Sequence, residues 1–411
     1  MQGNLNDDWW LELSLSYFDI LDDETRASRA HPRDPAWTPA GTLSDYQDTG
    51  WETAEIKLQN RRFLGSDALR LVTGYRYEHY SLGINNFSSD NYAAGTRTAL
   101  DNASGGDTGQ QAAYAQLGWQ INDSWDIALG ARYEDWQSAD GFYYDLTRGN
   151  LQDHGNRSEQ RLSPKFSIGF DPAANWRVRY SLARAFRFPI VEELFQNERR
   201  TAGTSIANAS LEPEDGVHQN LMLERDIAHG YVRINLFHER IRDVIFNQAA
   251  LVDNRSLTTF LPVNEVTTHG VEFIYNQYNL FDRLDVRFNT TWTDTEITRN
   301  RLNPAIEHNS FPRMPTWRSH LLLTWHFNSS WDIGGGIRYA SDSFGDLDNT
   351  DRKDGVFGSQ DAYRLVDLRT GYRINEKLRL NMGVENLADE VAYVHHPWPG
   401  RTVFVEAALD Y

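Results

Sequence analysis

Three arginines have the spacing needed to present positive charge on one polar surface. Arg177 and Arg179 lie two residues apart in an alternating segment, and Arg132 lies on the polar side of another. Side chains two residues apart on a β-strand point to the same face, so the guanidinium groups are predicted to share a face. They could help to hold an anionic chelate. They could equally pair with carboxylates such as Glu134, which is the structural role we expect.

Two adjacent histidines, His395 and His396, could meet a ferric complex, because imidazole nitrogen is a ligand for iron. Two solvated loop side chains are the simpler interpretation. An acidic segment at 346–355 is rich in oxygen ligands but lacks the central glycine and closing glutamate of an EF-hand loop. A solvated acidic loop is expected there, with weak Ca²⁺ binding as an open alternative, and no metal site is predicted.

Catalytic signatures are missing from the sequence. It has no HExxH, no GxSxG and no phosphate-binding P-loop. Neighbouring carboxylates such as Glu134-Asp135 and Glu192-Glu193 could do acid–base work, but with 58 acidic residues such pairs are expected by chance. We therefore expect a protein that is not an enzyme and needs no cofactor.

Composition excludes several classes of protein. The 411 residues carry a formal charge of −18 and no cysteine, and mean hydropathy is −0.61. Net negative charge argues against nucleic acid as a partner. No stretch approaches the roughly 18 consecutive apolar residues of a transmembrane helix, and the acidic N-terminus is not a signal peptide. No linker divides the chain, so residues 1–411 are predicted to form a single domain.

The elements that must position these residues are β-strands, because apolar residues recur with a period of two. In 125–134 one face reads Trp, Ile, Leu, Ala, Tyr and the other Asp, Ala, Gly, Arg, Glu. Helical periodicity is nowhere sustained. The alternation predicts about sixteen strands, near 8–20, 51–64, 66–82, 109–122, 124–137, 157–172, 174–187, 215–228, 230–247, 262–279, 281–297, 314–328, 330–342, 360–374, 376–387 and 400–411.

The connections between these strands alternate between long loops and tight turns. The long ones fall near 21–50, 83–108, 138–156, 188–214, 248–261, 298–313, 343–359 and 388–399. This rhythm is typical of a transmembrane antiparallel up-and-down β-barrel with long outer loops and short periplasmic turns. Aromatic residues near the predicted strand ends fit the girdles of such a barrel. The predicted fold class is therefore all-β, in an outer-membrane barrel with a wet lumen.

Five segments resemble the β-barrel of the TonB-dependent outer-membrane receptors. They lie, in the family's order, at 183–195, 208–214, 268–272, 311–315 and 384–401. The motif positions, which we expect to be structural, are Phe186, Pro189, Leu211, Pro213, Glu214, Gly270, Glu272, Asn386, Leu387, Pro399, Gly400, Arg401 and the terminal Tyr411. The resemblance is strong over 183–411, and the earlier strands fit by pattern alone.

This resemblance implies a twenty-two-strand barrel filled by a plug, of which this chain would supply about sixteen strands. The expected missing pieces are a signal peptide, an energy-coupling box, the plug and roughly the first six strands. The implied function is uptake of a nutrient chelate, most commonly a ferric siderophore, across the outer membrane of a Gram-negative bacterium. Implied partners are the lipid bilayer, the barrel-insertion machinery and, only if a plug is supplied, an inner-membrane energy-coupling protein.

Alternatives remain at this stage. Without a plug the chain could be a passive porin-like channel, a non-autonomous fragment without transport activity, or an adhesin-like surface barrel. Sixteen strands could close into a porin-sized barrel or stay an open arc. Relatives of this family that take up haem would place a histidine between the first two resembling segments. Residues 188–207 contain none, so the resemblance disfavours haem as cargo. Arg187 and Glu193, where a strand gives way to a long loop, are candidates for ligand contact, although loop anchoring is the expected role.

Overall fold

The computed structural model describes residues 1–146, 149–200, 203–252, 255–351 and 354–409. One short helix, α1, covers Val191–Phe195, and no helix in these residues is long and apolar enough to cross a membrane. The strands are β1 Gln2–Asn4, β2 Trp9–Asp19, β3 Asp23–Ser28, β4 Gly41–Tyr46, β5 Gly50–Asn60, β6 Leu69–Ser89, β7 Ala99–Asn122, β8 Trp125–Asp145, β9 Asn150–Asp153, β10 Arg157–Ala173, β11 Trp176–Arg187, β12 Glu198–Arg200, β13 Gly203–Ile206, β14 Glu214–Ile227, β15 Gly230–Val252, β16 Arg255–Leu280, β17 Leu284–Arg299, β18 Trp317–His326, β19 Trp331–Ala340, β20 Tyr363–Arg373, β21 Leu378–Glu385, β22 Tyr393–Val394, β23 His396–Pro397 and β24 Thr402–Leu409. Single-turn 3-10 helices cover Phe63–Gly65 and Pro304–Ile306.

The strands of eight residues or more form one antiparallel sheet in chain order. Their order is β2-β5-β6-β7-β8-β10-β11-β14-β15-β16-β17-β18-β19-β20-β21-β24, each hydrogen-bonded to the next. These are the sixteen strands that the alternation predicts, so the up-and-down all-β fold class is confirmed.

The short connections at one end of the sheet share a local device. The side chain of Asn122 accepts hydrogen bonds from the backbone N–H groups of the residues two and three positions later, at 2.9 and 3.1 Å. Asn6, Asn328 and Asn375 do the same in three other short connections. An asparagine that bonds to the backbone just ahead of it stabilises a tight turn. The turns are therefore encoded locally.

The other end of the sheet, here the outer end, differs in detail from the predicted loops. The segments 83–108, 138–156 and 248–261 were predicted as loops, yet β6 continues to Ser89, β7 begins at Ala99 and β15 runs to Val252. The extended strands keep their ladder of backbone hydrogen bonds beyond the predicted ends, through small and polar residues that lack an alternating apolar pattern. Periodicity cannot detect such a segment.

The two faces of the sheet are chemically different. On β8, Trp125, Leu129 and Tyr133 project to one face with 37%, 53% and 46% of their surface exposed. Asp126 and Arg132, of opposite phase on the same strand, project to the other face. The first face suits a hydrocarbon environment and the second suits a wet lumen.

In the part of the chain that the structure describes, both edges of the sheet lack a strand partner along most of their length. Within the described residues, β24 pairs with β21 alone. The side of β2 that faces away from β5 pairs only with the three-residue β1. Val403, Val405 and Leu409 on β24 are 68%, 66% and 64% exposed, and Leu15 on β2 is 85% exposed. Of the two geometries left open by the sequence, the described residues adopt the open arc.

Candidate functional site

One long connection folds back onto the inner face of the sheet at its outer end. This connection, here the mouth segment, comprises the described residues 188–200 and 203–213 and carries α1. Its Val191, Leu194 and Phe195 pack into a buried apolar cluster. The wall contributes Trp136 and neighbouring residues of β6 and β8, and the ring of Trp136 stacks on Phe188 at 5.8 Å. Burial of these side chains fixes the segment against the wall.

Two glycines make the slot that receives this segment. A Cβ on Gly141 would lie 2.3 Å from the Phe195 ring, and one on Gly106 would lie 2.6 Å from it. The ring of Phe195 is 1% exposed, so it fills the space that two missing side chains leave. Glycine is required at both positions because real Cβ atoms do not approach other atoms so closely.

An ion-pair cluster anchors both ends of the mouth segment. The Arg187 guanidinium donates to both carboxylate oxygens of Glu193 at 3.1 and 3.2 Å and to Glu214 at 2.7 Å. Glu193 also accepts the backbone N–H of Ile190 at 3.0 Å, and Glu214 accepts that of Ile245 at 2.9 Å. The structure thus places Arg187, Glu193 and Glu214 together as a loop anchor.

The remaining motif residues of this region surround the anchor. Pro189 and Pro213 are buried beside the two ends of the mouth segment, and Leu211 is 2% exposed in the same apolar cluster. Phe186 packs against that cluster, and the Arg184 guanidinium lies over its ring at 4.9 Å. These positions shape and hold the loop.

Between the mouth segment and the β8–β10 hairpin lies a polar cavity of about 960 Å³. Amide, hydroxyl, carboxylate, imidazole and guanidinium groups line it, from Asn102, Tyr143, Asp145, Gln152, Asp153, His154, Arg157, Asn197, Thr204, Asn208, Ser210 and Glu212. The Arg157 guanidinium spans the cavity wall by donating to the carbonyl oxygen of Ala209 at 2.6 Å. Sequence reasoning missed this site, because most of its residues carry no motif and they come from different long connections. Asn208, Ser210 and Glu212 lie within the motif segment 208–214, where only a structural role was expected.

His154 connects the cavity to the mouth segment. Its ring lies 6.0 Å from that of Phe195, and its backbone N–H donates to the carbonyl oxygen of Gly141 at 2.9 Å. Burial lowers the pKa of His154, with the negative charge of Asp153 opposing the shift. The neutral imidazole is therefore the form that this packing favours.

The three lumen arginines of the sequence analysis do share a face, and each contacts a carboxylate. Arg132 pairs with Glu134 at 2.8 Å and Arg179 with Asp126 at 2.9 Å. Arg177 contacts both Glu224 at 2.5 Å and Asp226 at 2.7 Å. The three arginines are thus paired with carboxylates of the wall, and they do not line the cavity described above.

The last long connection is held by buried hydrogen bonds. Asn386, 2% exposed, donates through its amide to the carbonyl oxygens of Glu390 and Pro399. Asp389 accepts the backbone N–H of Arg401 at 2.8 Å and lies against Gly400, whereas Leu387 stays 42% exposed. The motif positions Asn386, Pro399, Gly400 and Arg401 therefore close this loop.

His395 and His396 lie on the outside of the same loop. Their rings meet edge to face at 4.9 Å, and His396 lies 6.0 Å from the ring of the exposed Phe357. The structure does not bring them to the cavity. In the described part of the chain, no group of three or more His, Asp or Glu side chains is arranged to hold a metal ion.

Two further motif positions lie on the lumen side of the mid-sheet. The ring of Phe237 covers Gly270, where a Cβ would lie 2.4 Å from it. Glu272 accepts a hydrogen bond from the Asn235 amide at 2.5 Å. Both residues organise the wall itself, and Tyr411 lies outside the described residues.

An up-and-down sheet with an apolar outer face, a charged inner face and loops folded into its mouth defines the wall of an outer-membrane β-barrel. Residues 2–387 match the family described as TonB dependent receptor-like, beta-barrel. The chain belongs to this family, whose members reside in the outer membrane of Gram-negative bacteria.

Curated relatives are similar at low identity. The chain is 22% identical over 330 residues to the ferric-pyoverdine BN7/BN8 receptor of Pseudomonas putida, covering 78% of this chain and 36% of that protein. It is 23% identical over 197 residues to the ferripyoverdine receptor of Pseudomonas aeruginosa, covering 46% of this chain and 23% of the receptor. The chain thus spans well under half the length of these relatives.

Solved structures share the fold. A copper transporter, OprC, superposes with a TM-score of 0.77 at 16% identity, over 100% of this chain and 64% of the transporter. The ferric yersiniabactin uptake receptor FyuA of Yersinia pestis gives 0.71 at 15% identity, over 99% of this chain and 59% of the receptor. These relatives are transport receptors that differ in cargo, so the likeness defines the architecture.

Proposed function

We propose that this chain is the barrel wall of an outer-membrane receptor that takes up a metal chelate, with a ferric siderophore as cargo. Relatives that bind ferric pyoverdine and ferric yersiniabactin support the cargo class. The proposal assigns the chain a transport role and no catalytic reaction.

The observation that carries the proposal is the polar cavity held between the mouth segment and the β8–β10 hairpin. A siderophore chelate presents amide, hydroxyl and carboxylate oxygens around its metal. The amides of Gln152 and Asn208, the phenol of Tyr143 and the guanidinium of Arg157 supply matching donors and acceptors in one place. Because Val191, Leu194 and Phe195 of the mouth segment are buried in one cluster with residues of the wall, we infer that the cavity is largely pre-formed.

The proposal treats residues 1–411 as a single partial barrel domain, with a plug and further strands outside it. The length of the relatives supports this arrangement. The chain covers 36% of the ferric-pyoverdine BN7/BN8 receptor and 59% of the ferric yersiniabactin receptor FyuA. In this proposal an inner-membrane energy-coupling partner acts only through a supplied plug, and the barrel-insertion machinery places the sheet in the membrane.

Equilibrium binding of ⁵⁵Fe-labelled ferripyoverdine to the full chain in detergent tests the proposal. We expect the double variant Tyr143→Ala/Gln152→Ala to bind at least tenfold more weakly than the unchanged chain, because two cavity-lining polar groups are lost. Gln116→Ala, on the lumen face of β7 and outside the cavity, serves as the matched control and should bind normally. Failure of the unchanged chain to bind, or equal binding by the double variant, would contradict the proposal.

A further inference from the structure

The cavity between the mouth segment and the β8–β10 hairpin has a lining in which one sign of charge dominates. Its described lining includes three carboxylates, from Asp145, Asp153 and Glu212, and a single cationic side chain, that of Arg157. His154 adds no charge at neutral pH, because burial lowers its pKa. Among the described residues, the lining of this cavity is therefore acidic.

Two of these carboxylates keep their charge without an ion-pair partner. Neither Asp153 nor Glu212 forms an ion pair with another side chain that the structure describes. Asp153 uses Oδ1 to accept the backbone N–H of Gly155 at 2.8 Å, which leaves its negative charge in place. Arg157 donates to the carbonyl oxygen of Ala209 at 2.6 Å and pairs with neither carboxylate.

Both carboxylates are held at defined places on the cavity wall. Asp153 ends β9 and lies opposite Phe142 of β8 in the backbone ladder. Glu212 is exposed, but its chain neighbours Leu211 and Pro213 are both buried. The backbone at each site is thus fixed by pairing or by packing, so the two negative charges are positioned before a ligand binds.

The arginines of the lumen wall do not supply the missing positive charge. Arg132, Arg177 and Arg179 pair with carboxylates of the wall and do not line the cavity. A concave site lined by one sign of charge concentrates its electric field, because the surrounding protein has a lower dielectric constant than water. Such a site attracts a ligand of opposite charge and repels one of like charge.

We propose that the cavity selects a metal chelate that carries a positively charged amine or guanidinium group. The cationic group pairs with the carboxylates of Asp153 and Glu212, while the oxygens of the chelate meet the amides of Gln152 and Asn208. A polyanionic chelate of the same metal is repelled by these carboxylates. The inference rests on the function proposed above, since it names the charge class of the same cargo.

Equilibrium binding of ⁵⁵Fe-labelled ferrioxamine B to the full chain in detergent tests the inference. This chelate has a neutral ferric trishydroxamate core and one free ammonium group, whose charge N-acetylation removes. We expect the N-acetylated chelate to bind roughly tenfold more weakly at low salt, and the difference to shrink as the salt concentration rises. Ferric enterobactin, an anionic triscatecholate, should also bind roughly tenfold or more weakly than ferrioxamine B.

The double variant Asp153→Asn/Glu212→Gln identifies the carboxylates responsible. It should bring the affinities of the two ferrioxamines to within about twofold of each other, with binding of the N-acetylated form unchanged. The matched control, Asp123→Asn/Glu376→Gln, removes the same two charges from short connections at the opposite end of the sheet and should keep the preference. Because the preference is a ratio measured on one protein preparation, a lower folded fraction in a variant does not change it.

The outcomes separate this inference from the function on which it rests. Equal affinity for ferrioxamine B and its N-acetylated form, a retained preference in Asp153→Asn/Glu212→Gln, or tighter binding of ferric enterobactin would overturn the inference. Binding of ferripyoverdine without binding of ferrioxamine B would also overturn it, and would leave the proposed function standing. Absence of binding by every chelate would contradict both.

Discussion

Glu214 illustrates how a single side chain joins parts of the chain that are distant in sequence. Its carboxylate accepts from Arg187 at the end of β11 and from the backbone N–H of Ile245 on β15. Charged hydrogen bonds of this kind contribute more than neutral ones, and an unpaired remaining partner is unfavourable. The glutamate at motif position 214 therefore has a structural role, because it ties the mouth segment to β11 and β15.

Glu214→Gln should loosen the mouth segment. The amide oxygen can still accept from Ile245, but the ion pair with Arg187 is lost, at a cost of about 1–2 kcal/mol. We expect hydrogen-exchange protection within 188–213 to fall roughly tenfold. Glu212→Gln, two residues away and exposed, is the control. Unchanged protection in Glu214→Gln would show that the ion pair does not fix the loop.

Gly141→Ala should displace Phe195 from its slot. The new methyl group would lie 2.3 Å from the ring, and overpacking of this kind destabilises by about 1–3 kcal/mol. Hydrogen exchange over α1 should increase, and the fluorescence of the adjacent Trp136 should change. Gly118→Ala on β7, where the nearest atom lies 3.9 Å away, should change neither. Native hydrogen-exchange protection over α1 in Gly141→Ala would contradict the conclusion that Phe195 needs a glycine at position 141.

The β8–β10 hairpin is the element whose stability next to the cavity is expected to depend on pH, because it carries His154. Its His154 has a lowered pKa because burial disfavours the charged imidazole. A folded-state pKa below the ordinary value of 6.5 means that the open loop takes up a proton more readily than the packed one. The contribution to stability is therefore complete above 6.5 and declines as the pH falls through the folded pKa.

Lowering the pH from 7.5 to 5 should reduce hydrogen-exchange protection factors in 141–157. Protonated His154 favours the opened hairpin, whereas the wall strands β18–β20 should keep their protection. In His154→Gln the pH dependence of this hairpin should disappear, since glutamine does not titrate in this range. A His154→Gln protein with the same pH response would assign the effect to another group.

At the scale of the whole molecule, the two sheet edges that lack a partner in the described residues limit the stability of the sheet in a bilayer. Backbone groups on the outer edges of β2 and β24 have no ladder partner along most of their length within the described residues. Hydrocarbon offers no water to satisfy them, so an open sheet edge is unfavourable in a bilayer. The passive porin-like channel considered from the sequence is therefore disfavoured.

The purified full chain should give no steady unitary conductance in planar lipid bilayers. An open arc does not enclose a pore, and its edges must pair with further β-structure before it spans the membrane stably. An established closed porin, measured under the same conditions, controls for the bilayer. Long-lived conductance steps of uniform size from this chain would instead establish that the sixteen strands close.

The part of the fold that could be predicted from the sequence is the part that local patterns mark, namely the long strands and the tight turns. Alternation of apolar and polar residues located all sixteen long strands, because the side-chain period of a strand is two and each face meets a different environment. Short connections such as Asn122-Asp123 were recognised because their residues favour turns. The extensions of β6, β7 and β15 were not predicted, since no alternation marks them.

The amino-acid sequence by itself determined the sixteen long strands, their order, the lumen phase of Arg132, Arg177 and Arg179, and the family. Only the tertiary structure decided that the described residues of the mouth segment fold onto the inner face of the wall and that the described edges stay apart. It also brought Phe195 onto Gly106 and Gly141, and Arg157 onto the carbonyl oxygen of Ala209. The physical reason is range: strand pattern and turns depend on residues a few positions apart, whereas a cavity between loops depends on packing between segments that only the folded sheet brings together.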